Sequence, residues 1–173
     1  MAEDLGAVPD FVRRSLTALG VAGYRILRWE EEGGAFRDPV DYPVLSIAAS
    51  GTHDTSSLAT WWESELGEAG RRALAAVPSF APLDGAPAAW TPAVHAALLD
   101  GLYGAGSKLV VLPFPDVYGG RERINTPATT GPQNWSYRLP WTLRELRDGD
   151  AGRELASCLS QLAARHRRYG SPR

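Results

Sequence analysis

Apolar residues recur at Phe11, Val12, Leu16 and Leu19, a three-and-four spacing that predicts a helix over 10–19, entered through Pro9 and closed at Gly20. Tyr24 to Trp29 reads as a strand. The stretch from Glu30 to Tyr42 mixes Gly33-Gly34, Pro39 and acidic residues and reads as a loop. The near-continuous apolar run Val44-Leu45-Ser46-Ile47-Ala48-Ala49 predicts a buried strand that stops in the polar tip Gly51-Thr52-His53-Asp54-Thr55. Leu58, Trp61, Trp62 and Leu66 return to helical spacing. Pro78 to Pro92 is rich in proline, alanine and glycine and predicts a surface insertion without an element of its own. Thr91 and Pro92 then open a helix with Val94, Leu98 and Leu102 along one side. Lys108 to Phe114 predicts a strand buried on both faces, with Asp116 just past its end. Gly119 to Pro140 is a long polar loop, and Arg153 to Tyr169 predicts a last helix with Leu155, Leu159 and Leu162 on one face.

Helix alternating with strand is the pattern of an α/β fold built on a parallel sheet. Only about three full strands are present, whereas a parallel barrel needs eight across roughly 250 residues, so the chain reads as part of a larger fold. Strand ends in such sheets deliver side chains to a cleft, which makes Asp54 the first catalytic candidate and His53 its neighbour. A second acidic candidate, Glu3, lies in Ala2-Glu3-Asp4-Leu5-Gly6.

Composition narrows the chemistry. Among 173 residues, 44% are hydrophobic, enough for a packed core, and 18 Lys and Arg stand against 20 Asp and Glu. That balance lacks the basic footprint that nucleic acid attracts. The single cysteine, Cys158, excludes an internal disulfide, the acidic start lacks the features of a secretory signal, and no apolar run approaches a membrane span; a cytoplasmic protein without a membrane partner is expected. His53-Asp54 has no further His or Cys spaced to complete a metal site, and neither metal nor cofactor is expected. Trp61, Trp62 and Cys158 read as core residues, and Arg165 to Arg168 as a solvated helix end. Asn125 reads equally as a turn residue or a ligand contact.

Ala2-Glu3-Asp4-Leu5-Gly6, then Gly51-Thr52-His53-Asp54-Thr55 with Trp61-Trp62, then Ile124-Asn125-Thr126-Pro127 running to Gly131-Pro132-Gln133-Asn134-Trp135, together resemble the carboxyl-terminal part of the 4-α-glucanotransferases, the amylomaltase or disproportionating-enzyme family. The resemblance spans the chain in order. It implies that residues 1–173 are the C-terminal part of a (β/α)8 TIM barrel, about strands 5–8 with their helices, carrying the insertion near 78–92. It implies that Glu3 is the acid/base, that Asp54 stabilises the transition state, and that His53, Asn125 and Trp135 contact sugar. The substrate implied is an α-1,4-glucan or maltooligosaccharide. The family's nucleophilic aspartate belongs to a segment upstream of the first motif that these residues do not include, so the amino-terminal half of the barrel is the implied partner and the chain alone is expected to be inactive. A non-catalytic glucan-binding or interaction module is the alternative reading. Pro115 stands where the family tends to have glutamine, and Ala128 where it usually has glycine.

Overall fold

The structure is a computed structural model that describes residues 1–5, 8–83, 85 and 87–168. Gly6, Tyr169 and part of the 78–92 segment, all used above, lie outside or are interrupted by this range. The predicted first helix is present as α1 (Asp10–Ala18), and Gly20, at φ +68°, supplies the left-handed residue that ends it. Strand β1 (Gly23–Ile26) follows, shorter than the sequence suggests because Leu27–Trp29 winds into a 3-10 turn.

Within the expected loop, β2 (Glu31–Glu32) and β3 (Ala35–Phe36) pair as a small antiparallel hairpin. Gly33 and Gly34 at its tip both take positive φ, the backbone that a two-residue hairpin turn requires. The central strand is β4 (Ser46–Ala49), fully buried and parallel to β1 in the register Gly23↔Ser46 to Ile26↔Ala49. Its other neighbour is β5 (Leu109–Val110), also parallel. The sheet order β1-β4-β5 is the parallel arrangement predicted from the helix–strand alternation.

Two strand readings need correction. Val44 and Leu45 are exposed and precede the paired residues, with both Ser46 N–H and Lys108 N–H donating to the Val44 carbonyl. The 108–114 run is not a strand buried on both faces: β5 has a paired neighbour on one side only, and Leu109 and Val111 are each about half exposed. Val111 N–H still donates to Ala48 O, and the chain then turns at Pro113 into α5 (Phe114–Tyr118).

The main core lies between the sheet and the helices that follow β4. Ser57 caps α2 (Leu58–Thr60), which continues as a π turn over Trp61–Glu65 and, past Gly67, as α3 (Gly67–Ala75). Trp61 and Trp62 are core residues, as read from their spacing, and Trp62 Nε1 donates to Pro87 O at 3.1 Å. Thr91 caps α4 (Pro92–Tyr103), whose Val94, Leu98 and Leu102 are buried against them. Each such side chain stabilises the fold by roughly 1.5–3 kcal/mol. The 78–92 segment is not merely a surface insertion: Pro78–Leu83 forms a 3-10 helix that drives Phe80 and Leu83 into this core, completely shielded.

The carboxyl-terminal end forms α6 (Leu143–Asp148), opened by a capping box between Thr142 and Glu145, and α7 (Asp150–Arg165). Leu162 and Gly152 are the buried residues of α7; Cys158 is exposed, against the expectation of a core position. α7 reaches α4 through its last turn, where Arg165 and His166 meet Asp100 at 2.8 and 3.0 Å, so the middle of the helix stays in solvent. Nor is the arginine cluster simply solvated: Arg168 donates to the carbonyls of Tyr103, the last residue of α4, and of Ala105 and Ser107 in the turn that follows it. No helix among the described residues is long and apolar enough to cross a membrane.

Candidate active site

The polar tip after β4 is a turn built by its threonines. Thr55 Oγ1 accepts from Thr52 N–H and donates to Thr52 O, both at 3.0 Å, while Thr52 Oγ1 accepts from Asp54 N–H at 3.1 Å. Gly51 is required at its base because a Cβ there would collide with Thr55 Oγ1. The turn leaves His53 exposed and Asp54 partly exposed at the end of the central strand.

Two buried groups brace this turn from behind. Asp116 in α5, almost wholly buried, accepts from Ser50 Oγ at 2.5 Å and from Leu58 N–H at 2.7 Å, tying the residues on either side of the tip together. Burial is the largest influence on its carboxyl and pushes its pKa up, against the pull of those two donors and of the Arg28 and His95 charges. Arg28 spans the same gap, donating to Ser56 Oγ and Ser56 O at 3.0 and 2.9 Å and lying 5.2 Å over the Trp61 ring. Its own pKa is lowered, chiefly by burial.

Glu3 arrives from a different direction. Ala2 N–H donates to Ala22 O at 3.0 Å, and Asp4, buried, accepts from Tyr24 N–H at 2.7 Å and meets Arg25 at 3.6 Å. Gly23 permits this approach, since a Cβ there would lie 2.5 Å from Asp4 Oδ2. Asp4 therefore anchors the first residues against the start of β1, and Glu3 beside it is exposed on a cleft of about 450 Å³. His53 and Asp54 line the same cleft, with Leu5, Tyr24, Trp29, Leu112 and Ile124.

The long loop expected over 119–140 is observed without regular structure between α5 and α6, and it folds back over the tip. Asn125 N–H donates to His53 O at 3.0 Å, and Asn125 Nδ2 donates to Asp54 Oδ1 at 2.6 Å. His53 Nε2 lies 3.3 Å from the same oxygen. The His53 ring packs against Trp135 with centroids 5.1 Å apart and planes tilted 34°. Trp135 is held there by its own N–H bond to Ile124 O at 2.9 Å. Four of the five residues singled out in the sequence thus touch one another in pairs, and Glu3 shares their cleft. Among the described residues no group of three or more His, Cys, Asp and Glu side chains could hold a metal ion.

The sequence reading passed over Arg123, whose guanidinium donates to Asp54 O at 2.7 Å and Asn125 O at 2.8 Å, locking the two loops together. It noted Asp116 only as a polar residue after a strand. Arg123 reaches the Asp54 carbonyl, and Asp116 the Ser50 hydroxyl and the Leu58 N–H, all more than fifty residues away, partners for which local periodicity carries no signal.

The family model for 4-alpha-glucanotransferase matches residues 1–144. The 4-alpha-glucanotransferase of Chlamydia pneumoniae is 35% identical over 161 residues, covering 84% of this chain and 29% of that protein. The one from Chlamydia muridarum is 33% identical over 179 residues, covering 94% of this chain and 32% of that protein. Among solved structures, the amylomaltase from Streptococcus agalactiae in complex with acarbose superposes with a TM-score of 0.77 at 22% identity, over 98% of this chain and 32% of that one. Amylomaltase from Corynebacterium glutamicum gives 0.66, also at 22% identity, over 90% of this chain and 28% of that one. The fold is thus a mixed α/β region matching part of amylomaltase, and the chain spans less than a third of the length of these relatives. With the family signature running through residues 1–144, across both the Glu3 segment and the loop that embraces Asp54, this chain belongs to the 4-alpha-glucanotransferase family.

Proposed function

We propose that these residues are about strands 5–8, with their helices, of the (β/α)8 barrel of a 4-α-glucanotransferase, a cytoplasmic enzyme that moves α-1,4-glucan segments between maltooligosaccharides or glycogen chains. The observation that carries this reading is the single cleft lined by Glu3, His53 and Asp54. In a retaining transfer a nucleophilic carboxylate attacks the anomeric carbon from one face while an acid on the other protonates the departing glycosidic oxygen, the two carboxyl groups standing about 5–5.5 Å apart. Glu3 is the acid. It later takes the proton from the acceptor hydroxyl, whose oxygen displaces the enzyme carboxylate and completes transfer.

Asp54 offers a carboxylate to the ring hydroxyls and the positive charge of the oxocarbenium-like transition state. Asn125 and His53 both engage its Oδ1, and Oδ2 is the oxygen assigned to the substrate. His53 and Asn125 contact the sugar, and Trp135 stacks on His53 and supplies an aromatic wall. The nucleophile comes from the amino-terminal half of the barrel, which is the partner these residues require.

Disproportionation of maltotriose tests the assignment. The 173-residue chain alone should release no glucose, and joining it to an amino-terminal segment of a relative that carries the nucleophile should restore release. Glu3→Gln or Asp54→Asn should then abolish it. Full activity of the joined protein in either variant would overturn the roles given to these carboxyls. Retention of His53, Asp54 and Asn125 in one hydrogen-bonded group favours a second reading for the unjoined chain, glucan binding without turnover.

A further inference from the structure

Glu63 stands in the π turn directly after Trp61 and Trp62, both buried in the main core, so its backbone is fixed to the core while its side chain reaches the surface. Two distant segments converge on its carboxylate. Trp90, just before the cap of α4, donates its N–H to Oε1 at 2.9 Å, and Arg121 donates to both oxygens at 3.0 to 3.1 Å. The Trp90 N–H first and the Arg121 guanidinium next hold the Glu63 carboxyl below the ordinary range, so it stays ionised at neutral pH. Arg121 presents its fork to a carboxylate whose position the core has already set.

Arg121 also opens the stretch of loop that reaches Asp54. Every second residue from 121 to 125 bonds across to the 54–63 segment: Arg121 to Glu63, Arg123 to Asp54 O at 2.7 Å, and Asn125 to Asp54 Oδ1 at 2.6 Å. Such spacing sets three side chains on one side of an extended segment. Glu122, between the first two, accepts from Tyr118 Oη at 2.6 Å instead, and Tyr118 Oη lies 3.2 Å from Tyr137 Oη, which joins the two ends of the loop to each other. The contacts at Asp54 are made to a partly exposed turn, whereas the contact at Glu63 is made to the core. We infer that Glu63 and Arg121 are a positioning pair, a clamp that holds the loop closed so that Asn125 keeps Asp54 oriented. Neither residue lines the cleft, so the pair acts through Arg123 and Asn125. This rests on the reading of Asp54 as the carboxylate that faces the sugar, and deepens it. The Arg121 side chain is 56% exposed, and an exposed pair adds little to global stability; its effect falls on local opening of the loop.

Hydrogen exchange of the 173-residue chain reads loop opening at two amides, Asn125 N–H bonded to His53 O and Trp135 N–H bonded to Ile124 O. Arg121→Ala should speed exchange at both roughly tenfold while leaving Leu98 and Leu102 within α4 unchanged. Arg121→Lys, which keeps the charge and loses the fork, should fall between the two. Glu63→Gln added to Arg121→Ala should change Asn125 little further, since both remove one clamp. Unaltered exchange at Asn125 in Arg121→Ala overturns the clamp, as does a loss shared equally by the α4 amides, which marks a general loss of stability. Calorimetric titration with maltoheptaose separates the clamp from the reading on which it rests. Arg121→Ala should weaken binding about as much as Asn125→Ala does, and affinity equal to that of the unaltered chain overturns the positioning role. No binding by the unaltered chain overturns the glucan reading, and the exchange rates still decide the clamp.

Discussion

Asn125 donates its side-chain amide to Asp54 Oδ1 at 2.6 Å, joining two loops 71 residues apart in sequence. Because Asn125 N–H also reaches His53 O, one residue fixes both the backbone and the carboxylate of the tip. Asn125→Ala should cost about 1 kcal/mol of stability, since both partners are partly solvated and water replaces much of the lost bond. Glucan affinity should fall by more than this, because Asp54 loses its orientation. Asn125→Asp should be worse on both counts: it sets a second carboxylate at hydrogen-bond distance from the first. Urea denaturation and calorimetry of the two variants check the order; an Asn125→Asp chain as stable as Asn125→Ala would show that the contact is not made in solution.

Ala128 sits in the same loop at φ +58°, in left-handed backbone where a β-carbon is crowded. The family resemblance calls for glycine at this position, and the geometry says why. Relief of a left-handed alanine is worth about 1–2 kcal/mol, whereas the extra freedom of glycine in the unfolded chain costs about 0.5–1 kcal/mol. The first term is larger, so Ala128→Gly should raise the urea midpoint modestly without changing the slope of the transition. A lowered midpoint would mean that unfolded-state entropy dominates.

Some of this arrangement is written locally and some is not. Helix α4 is legible because Thr91, Pro92 and the Val94–Leu98–Leu102 stripe each specify it independently, and the structure returns the same cap and the same buried face. The Thr-His-Asp tip is legible because an apolar run ending in polar residues has few other uses. Strand ends were misread where tertiary pairing, not composition, decides them: Leu109 and Val111 are as apolar as Ile47, yet β5 pairs on one side only and leaves them half exposed. Phe80 and Leu83 were hidden by the prolines around them, since two apolar residues on a 3-10 turn show no helical period. Arg168 has no local signal because its acceptors are carbonyls more than sixty residues away, at the end of α4 and in the turn beyond it.

Asp116 should leave a signature in the pH dependence of stability. Its carboxyl is raised above the ordinary 3.8 by burial first, with Ser50, Leu58 and Arg28 opposing. A folded-state pKa above the unfolded one means that the folded chain holds the proton more tightly between the two values, so stability falls as pH rises through that window. Asp116→Asn removes this titration. The stability of the unaltered chain relative to Asp116→Asn should be highest below pH 3.8, decline as pH rises to the raised folded value, and level off above it. His95 runs the other way: its pKa is lowered by burial, so stability is lost as pH falls below 6.5. Asp116→Asn also removes the Asp116 charge that raises His95, so the variant loses more of this contribution as pH falls below 6.5, which acts on the difference in the same direction as Asp116 itself. Urea titrations of the two proteins between pH 3 and 8 check the sign, and a relative stability that climbs with pH would overturn it.

Gly101 in the last turn of α4 sets two effects of opposite sign against each other. Glycine weakens a helix interior by about 1 kcal/mol relative to alanine, which on propensity alone predicts that Gly101→Ala stabilises the protein. The Phe80 ring, however, lies against this backbone, and a Cβ at residue 101 would fall well inside van der Waals contact of three ring carbons. Phe80 is completely shielded and packed among the residues of the main core, so it has no free space into which to retreat. Overpacking of this kind costs about 1–3 kcal/mol, and at so close an approach the upper part of that range applies. Gly101→Ala should therefore destabilise the chain by about 1–2 kcal/mol net. Combining it with Phe80→Leu, which trims the ring, should recover part of the loss, so that the two substitutions are less damaging together than their separate costs added. Strict additivity in that double-mutant cycle would show that the glycine is not there to admit the phenylalanine.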